Sequence, residues 1–363
     1  MQKLKNGLSG IIRAKNEGRF LSSCIDSCID SMDELIVVYN DCSDDTERIL
    51  AEKVKQYPDK LKVYPFNHDV LSHNLSKEEF EYAISLPEDS VRLHSTQCNY
   101  ALSKVTYKYA MKIDPDQMYF ADEIEKWREV CQKKVKLRWK FNFIWGYFFM
   151  MYISLYRRVS VKLGYPCLQM IPDWLVGFFK NKYSEYIKWR LQEGKIAISF
   201  SGVNLFYDGE WTVPFDKYNV HPPYNGEGDT LLFQVSESTF FTRFFDKNKR
   251  PYAVIERFRH PYKVAIADSP IWFHFHANRD YCYEKVKAVK GKFPDLFVPS
   301  DDFVKMSYKA VHDKMDDHVP TLFQRILFAL VHKMGIQVIC NHLYLLKNMN
   351  CLLYTSDAAD DKA

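Results

Sequence analysis

The chain reads as an α/β protein built on a mostly parallel, Rossmann-like sheet flanked by helices. Short apolar, β-prone runs at residues 8–13 (LSGIIR), 35–39 (LIVVY), 61–64 (LKVY) and 109–113 (YAMKI) are separated by helix-length segments. Strands that alternate with helices pair in parallel. The runs also end in clusters of polar residues, as expected where a parallel sheet binds ligands beyond the carboxyl ends of its strands.

Each element has a local reason. After the first run, Phe20, Leu21, Cys24, Ile25, Cys28 and Ile29 recur at helical spacing, which places both cysteines on a buried face as small packing residues. The second run ends in the turn NDCSDD, and a helix is expected to follow with Asp44 as N-cap and Glu47 completing a capping box. A third strand at 61–64 leads through a polar connection to a helix at 95–103 and then to the fourth strand. Residues 126–195 form a basic, aromatic insertion expected to be helical. Strand-like runs return at 197–207, 229–235 and 271–276, and an amphipathic helical stretch spans 326–346. The expected organisation is one α/β domain over residues 1–295 carrying the insertion, a C-terminal helical region at 296–350, and a tail at 351–363. That tail resembles translated adapter read-through and is expected to be non-native.

Composition narrows the class. Fifty Lys plus Arg against 46 Asp plus Glu give a net charge of +4, too balanced for a protein that coats nucleic acid. With 26 Phe, 24 Tyr and 7 Trp the chain has ample surface to bury, which excludes disorder. Nine irregularly spaced cysteines without a Cys-x-x-Cys pair argue against a disulfide framework or zinc ribbon and for a reducing compartment. No signal peptide or membrane-length apolar run is evident, so a cytoplasmic location is expected.

Asp114-Pro115-Asp116 follows the fourth strand, and two carboxylates one residue apart at a strand end can share a hard divalent cation. The same tripeptide also occurs as a plain turn. The order of motifs adds more: IIRAKNE, VVYNDCSDDT, QCNYAL and KIDPD succeed one another as strand end, strand end, helix and strand end. In this order the chain resembles inverting, family-two-like nucleotide-sugar glycosyltransferases of GT-A fold. It is most similar to bacterial β-1,4-N-acetylgalactosaminyltransferases of lipooligosaccharide synthesis. The resemblance runs over roughly residues 8–279, outside the insertion.

The resemblance implies roles residue by residue. Arg13, Asn16, Glu17, Asn40 and Asp41 would hold the uracil and ribose of a UDP-sugar, with Asn99 supporting that pocket. Asp114 would face the ribose and the metal, and Asp116 would ligate Mn²⁺ or Mg²⁺, which stabilises the diphosphate leaving group. His274 would add a metal ligand. Independently of the resemblance, His274 and His276 alternate along the expected strand and so point the same way, which suits one metal ligand plus one phosphate contact or, alternatively, a pair of hydrogen-bonded packing residues. An inverting transfer also needs a carboxylate to take the acceptor proton. Glu256, expected in a short helix at 255–257, is the first candidate; Asp229 is the second and Glu227 the third. Against the wider superfamily, Tyr39-Asn40 replaces an acidic pair and Cys98 replaces an Arg.

The insertion admits two readings. Residues 126–162 hold ten Lys/Arg and one acid, and residues 141–156 are aromatic with basic flanks. An interfacial helix would dip Trp145, Phe148 and Phe149 into an anionic membrane surface; alternatively the helix packs in a core or oligomer contact. The expected partners are thus a UDP-sugar donor, a glycan or glycolipid acceptor and an anionic membrane surface, with no nucleic acid. The expected activity is metal-dependent inverting transfer of N-acetylgalactosamine from UDP-GalNAc. The alternatives are another UDP-hexose as donor, or a non-catalytic adaptor at the membrane surface.

Overall fold

The computed structural model describes residues 4–135, 143–151, 173–215, 224–225, 230–248 and 252–306, with backbone only at 173–178, 180, 224–225 and 268–269. The chain divides into two units: residues 1–116, 121–134 and 231–263 form the first, and residues 117–120, 135–230 and 264–363 the second.

In the first unit, β1 (Lys5–Ala14), β2 (Glu34–Tyr39), β3 (Leu61–Pro65) and β4 (Tyr107–Ile113) pair in parallel in the order β3-β2-β1-β4. The strand Leu231–Gln234 adds antiparallel to β4. The expected α/β class with a mostly parallel sheet is therefore borne out. β2 is buried from Glu34 to Val38, as a strand covered on both faces must be. At Gly10 a Cβ would stand 2.4 Å from Met32 Sδ and 2.6 Å from Leu35 Cδ1, so glycine is what lets β1 sit this deep.

Helices α1 (Leu21–Cys28), α2 (Thr46–Gln56), α3 (Lys77–Ser85), α4 (His94–Ser103) and α5 (Ala121–Gln132) accompany these strands. Cys24 and Cys28 are buried on α1 as expected. Asp44 serves the start of α2 differently from the capping box expected. Its carboxylate accepts from the Thr46 amide (3.0 Å) and reaches back to the Gly18 amide (2.8 Å), tying the two strand-end turns together. The reciprocal box occurs instead at α3, between Ser76 and Glu79, inside the segment read as a polar connection.

At the amino end of the sheet the buried Glu34 carboxylate accepts from Ser9 Oγ (2.7 Å), the Thr106 amide (2.7 Å), Thr106 Oγ1 (2.8 Å) and Lys62 Nζ. Burial raises its proton affinity, yet these donors outweigh burial and hold the carboxyl below its ordinary value.

The unit is completed by a hairpin of Phe240–Phe245 and Val254–Arg259, in which Arg243 pairs with Glu256. Three clamps hold it. Asn99 on α4 donates to the Phe241 carbonyl (2.8 Å) and accepts from its amide (2.7 Å). The Arg243 guanidinium donates to the carbonyls of Ala83, Ile84 and Leu86 at the end of α3 (2.7–3.1 Å), where a cation suits the helix dipole. Finally, Leu75 pairs with Tyr252.

The second unit contains the helix Asp173–Gln192 and the strands Ile196–Asn204 and Lys263–His274, the latter antiparallel to Gln117–Tyr119. Three further short strands, Phe206–Tyr207, Trp211–Pro214 and Phe297–Pro299, form a small antiparallel sheet. Residues 143–151 are helical and pack on the helix Asp173–Gln192. Phe149 is 4% exposed, stacked on Phe179 and edge-on to Tyr183. At Gly146 a Cβ would meet Tyr186 Cβ at 2.3 Å, so the glycine permits this close crossing. Phe149, expected under the membrane reading to face lipid, belongs to the packing of these two helices. The stretch at 326–346 lies outside the described residues.

Candidate active site

Register decides which side chains meet. Ile12 on β1 pairs with Ile113 on β4, so Arg13 and Asp114, one residue on, stand side by side at the carboxyl ends of adjacent parallel strands. The Arg13 guanidinium donates to Asp114 Oδ1 at 3.1 Å and to Glu256 Oε1 at 2.7 Å. Lys112 reaches the same two carboxylates at 3.6 and 3.1 Å, and His94 Nδ1 lies 3.2 Å from Glu256 Oε2. The side chains of Arg13, Glu256, Lys112 and His94 are 8, 11, 14 and 14% exposed, so this is a buried charge cluster.

The cluster tunes its own members. Burial opposes the charged form of Glu256, but Lys112, Arg13 and His94 outweigh it and hold the carboxyl well below its ordinary range. Burial likewise opposes a charged His94, while the Cys98 sulfur and the Glu256 carboxylate push it up to about 9. Arg13 is raised well above its already high value, the pull of Cys98, Glu256 and Asp114 exceeding the burial penalty. Arg13, Lys112 and His94 thus gather around the Glu256 and Asp114 carboxylates, a concentration of charge that an incoming anion or polar group would meet.

Other expected donor-site residues form the surrounding turns. Asn16 and Asp41 adopt left-handed backbone (φ 55° and 43°), which their short polar side chains tolerate. Asn16 Oδ1 accepts from the Ser43 amide at 2.8 Å, locking one turn on the other. Asp41 is exposed and pairs with Lys15 at 3.5 Å. The Glu17 amide donates to Thr46 Oγ1 at 2.8 Å, and Glu17 is buried. Asn40 is 2% exposed and accepts from Gln97 on α4 at 2.8 Å. Both polar groups of Asn99 are committed to the Phe241 backbone, so it reaches a nucleotide pocket only through the hairpin it holds.

Glu256 lies on a strand and not in the short helix expected. The run VIERFR has period two: Val254, Glu256 and Phe258 are more buried than Arg257 and Arg259. Asp229 and Glu227 lie outside the described residues.

Asp116 is buried, at 4% exposure. The carboxylate oxygens of Asp114 and Asp116 are hard donors of the kind that Mn²⁺ and Mg²⁺ take, so the first unit offers suitable chemistry for either ion. His274 and His276 lie in the second unit, with ring centroids 5.7 Å apart. His274 Nδ1 lies 3.1 Å from the Asn204 side-chain oxygen.

His94 and Lys112 were not among the expected site residues. Lys112 did leave a signal in the sequence: a lysine inside an apolar run such as YAMKI must find carboxylates or leave the sheet. His94, at the first position of α4, left none.

Among solved structures the chain is similar to glucosyl-3-phosphoglycerate synthase from Mycobacterium tuberculosis. In complex with Mn²⁺, UDP and phosphoglyceric acid that enzyme is 22% identical, with 31% of this chain and 34% of that chain covered and a TM-score of 0.21. The figures are the same for its complex with Mn²⁺, UDP-glucose and glycerol 3-phosphate. A structure described only as a mycobacterial protein is 18% identical, covering 31% and 32% at the same TM-score. The match thus spans about a third of those proteins' length. No curated protein matches the chain. Residues 5–144, which carry β1 to β4, Arg13, His94, Cys98, Lys112 and the Asp114-Pro115-Asp116 turn, match the family model of beta-1,4-N-acetylgalactosaminyltransferase (CgtA), in agreement with the resemblance borne by the motifs.

Proposed function

We propose that the protein is a metal-dependent inverting glycosyltransferase that moves N-acetylgalactosamine from UDP-GalNAc to a bacterial surface glycan through a β-1,4 linkage. The observation that carries this reading is the convergence of Arg13, Lys112, His94 and Asp114 at the carboxyl ends of β1 and β4, within the segment that matches the CgtA family. A cluster that places Arg13, Lys112 and His94 at such strand ends suits a nucleoside diphosphate. Asp114 and Asp116 would hold Mn²⁺ or Mg²⁺, and the ion would offset the charge that develops on the departing diphosphate. Asn16, Asp41 and Asp44 shape the turns on which the nucleoside would rest.

Ion pairing makes Glu256 a weak base, because general-base catalysis favours a proton affinity near the working pH. We therefore read Glu256 as the anchor that fixes Arg13 and Lys112, and assign the acceptor proton to Asp229.

The family match favours the N-acetylgalactosamine donor over other UDP-hexoses. A screen of UDP-sugars with mass detection of product tests the choice, and a different preferred donor overturns it. Asp116→Ala, or chelator added to the natural protein, should abolish transfer; full turnover in excess chelator removes the metal from the mechanism. If UDP with Mn²⁺ fails to raise the melting temperature, the adaptor alternative stands instead.

A second reading concerns location. No described helix is long and apolar enough to cross a membrane. Ile144, Phe148 and Met151 on the 143–151 helix are 44–59% exposed, and residues 130–172 contain eight Lys/Arg and no Asp or Glu. The like charges of this segment would repel those of a second copy, so an anionic membrane surface is a better partner for it than a second copy of the chain.

A further inference from the structure

His94 and Cys98 lie one turn apart on α4, and the hairpin brings Glu256 to them. A ring nitrogen, a thiol sulfur and a carboxylate oxygen from these three residues all lie within 4.8 Å of one another. This donor set is the kind that thiophilic divalent ions such as Zn²⁺ and Co²⁺ take. Metal–ligand distances of 2.0–2.3 Å put tetrahedral ligands roughly 3.3–3.7 Å apart, so the triad needs to contract by only about 1 Å to close on an ion.

One atom already stands among the three donors. Arg13 Nη1 is 2.7 Å from Glu256 Oε1, 3.1 Å from Cys98 Sγ and 3.4 Å from His94 Nε2. We propose that His94, Cys98 and Glu256 form a thiophilic metal site that the Arg13 guanidinium keeps closed by serving as its built-in cation. A metal entering the triad must displace a buried, charge-paired arginine, and the natural protein thereby excludes thiophilic ions from the strand ends. Asp114 and Asp116, which carry only oxygen donors, stay outside this triad. The inference does not depend on the transferase reading.

The test is a Co²⁺ titration of the metal-free, full-length protein and its variants, following the thiolate-to-Co²⁺ charge-transfer absorption. Arg13→Ala should bind one equivalent with this band, about a hundredfold or more tighter than the natural protein, the scale expected when a buried ion pair no longer has to be broken. Arg13→Gln, which preserves more of the local volume and hydrogen bonding, should behave the same way. The band should vanish when Cys98→Ser is added to either variant. Binding by the natural protein as tight as by the variants overturns the proposal. So does a missing band in both folded Arg13 variants, or a band that survives Cys98→Ser.

Discussion

Replacing Glu256 by Gln separates an anchoring carboxylate from a catalytic one. Glu256 is the shared counter-charge of Arg13 (2.7 Å), Lys112 (3.1 Å) and His94 (3.2 Å), at 11% side-chain exposure. Removing one partner of a buried ion pair costs about 3–5 kcal/mol, because the remaining charge stays buried and uncompensated. Asp114 still faces Arg13 at 3.1 Å and Lys112 at 3.6 Å, so the expected loss lies at the lower end, about 3 kcal/mol. Against a total stability of about 5–15 kcal/mol this is readily measured by urea unfolding followed by circular dichroism. Hydrogen exchange at residues 254–259 should rise in parallel, because the hairpin loses its charged contact with β1 and β4. Adding Lys112→Met to the variant should recover at least about 1 kcal/mol by removing one of the two cations that then share Asp114. A variant that keeps its stability to within about 1 kcal/mol while turnover collapses by ~10²-fold refutes the anchor role and returns the base to Glu256.

Three further outcomes are expected. Stability should carry two pH legs: His94, raised to about 9, contributes fully below its ordinary 6.5 and loses the contribution as pH rises through about 9, whereas Glu34, lowered, contributes above 4.5 and loses it as pH falls through its depressed value. His94→Asn should flatten the alkaline leg and Glu34→Gln the acid leg in thermal melts across pH; unchanged profiles contradict the assignments. Asn99→Leu should cost about 2 kcal/mol for two lost backbone hydrogen bonds and expose the Phe241 amide to exchange, while protection equal to the natural protein's removes the clamp. Replacing Ile144, Phe148 and Met151 together by Ser should weaken sedimentation with phosphatidylglycerol vesicles about tenfold without unfolding the chain, and high salt should act in the same direction; Phe149→Ser should instead destabilise the helix pair, and unchanged vesicle binding by the triple variant sinks the membrane reading.

Much of the sheet was legible because its strands are nearly uninterrupted apolar runs closed by polar turns. β2, for example, differs from the expected run only by starting at Glu34. Arg13 and Asp114 were legible as strand-end residues, but their contact depends on the Ile12–Ile113 register, which a single sequence does not reveal. The 254–259 segment was misread because three residues, Ile-Glu-Arg, cannot tell period two from helical spacing; the alternation appears only once Val254 and Phe258 are included. α3 went unseen although Ser76-Lys-Glu-Glu79 writes a capping box, because only Phe80 and Ala83 of its nine residues are buried and the apolar period is faint. Phe149 was grouped with its exposed neighbours because composition cannot show which ring of an aromatic run turns toward a second helix.

The first unit is interrupted in sequence, and this bears on how it is made. β4 has β1 on one side and residues 231–234 on the other, and the hairpin that supplies Glu256 follows only after that strand. Between residue 134 and residue 231 the ribosome must translate roughly a hundred residues that belong to the other unit, a delay of ~5–20 s at ordinary elongation rates. Throughout that interval the nascent chain presents β4 with an open edge, a surface that pairs readily with a neighbouring chain. Arg13 and Lys112 meanwhile wait for the second of their two carboxylates. Synthesis therefore passes through a half-built sheet whose protection depends on whatever meets it on the ribosome, and whose charge cluster closes only when residue 256 has emerged.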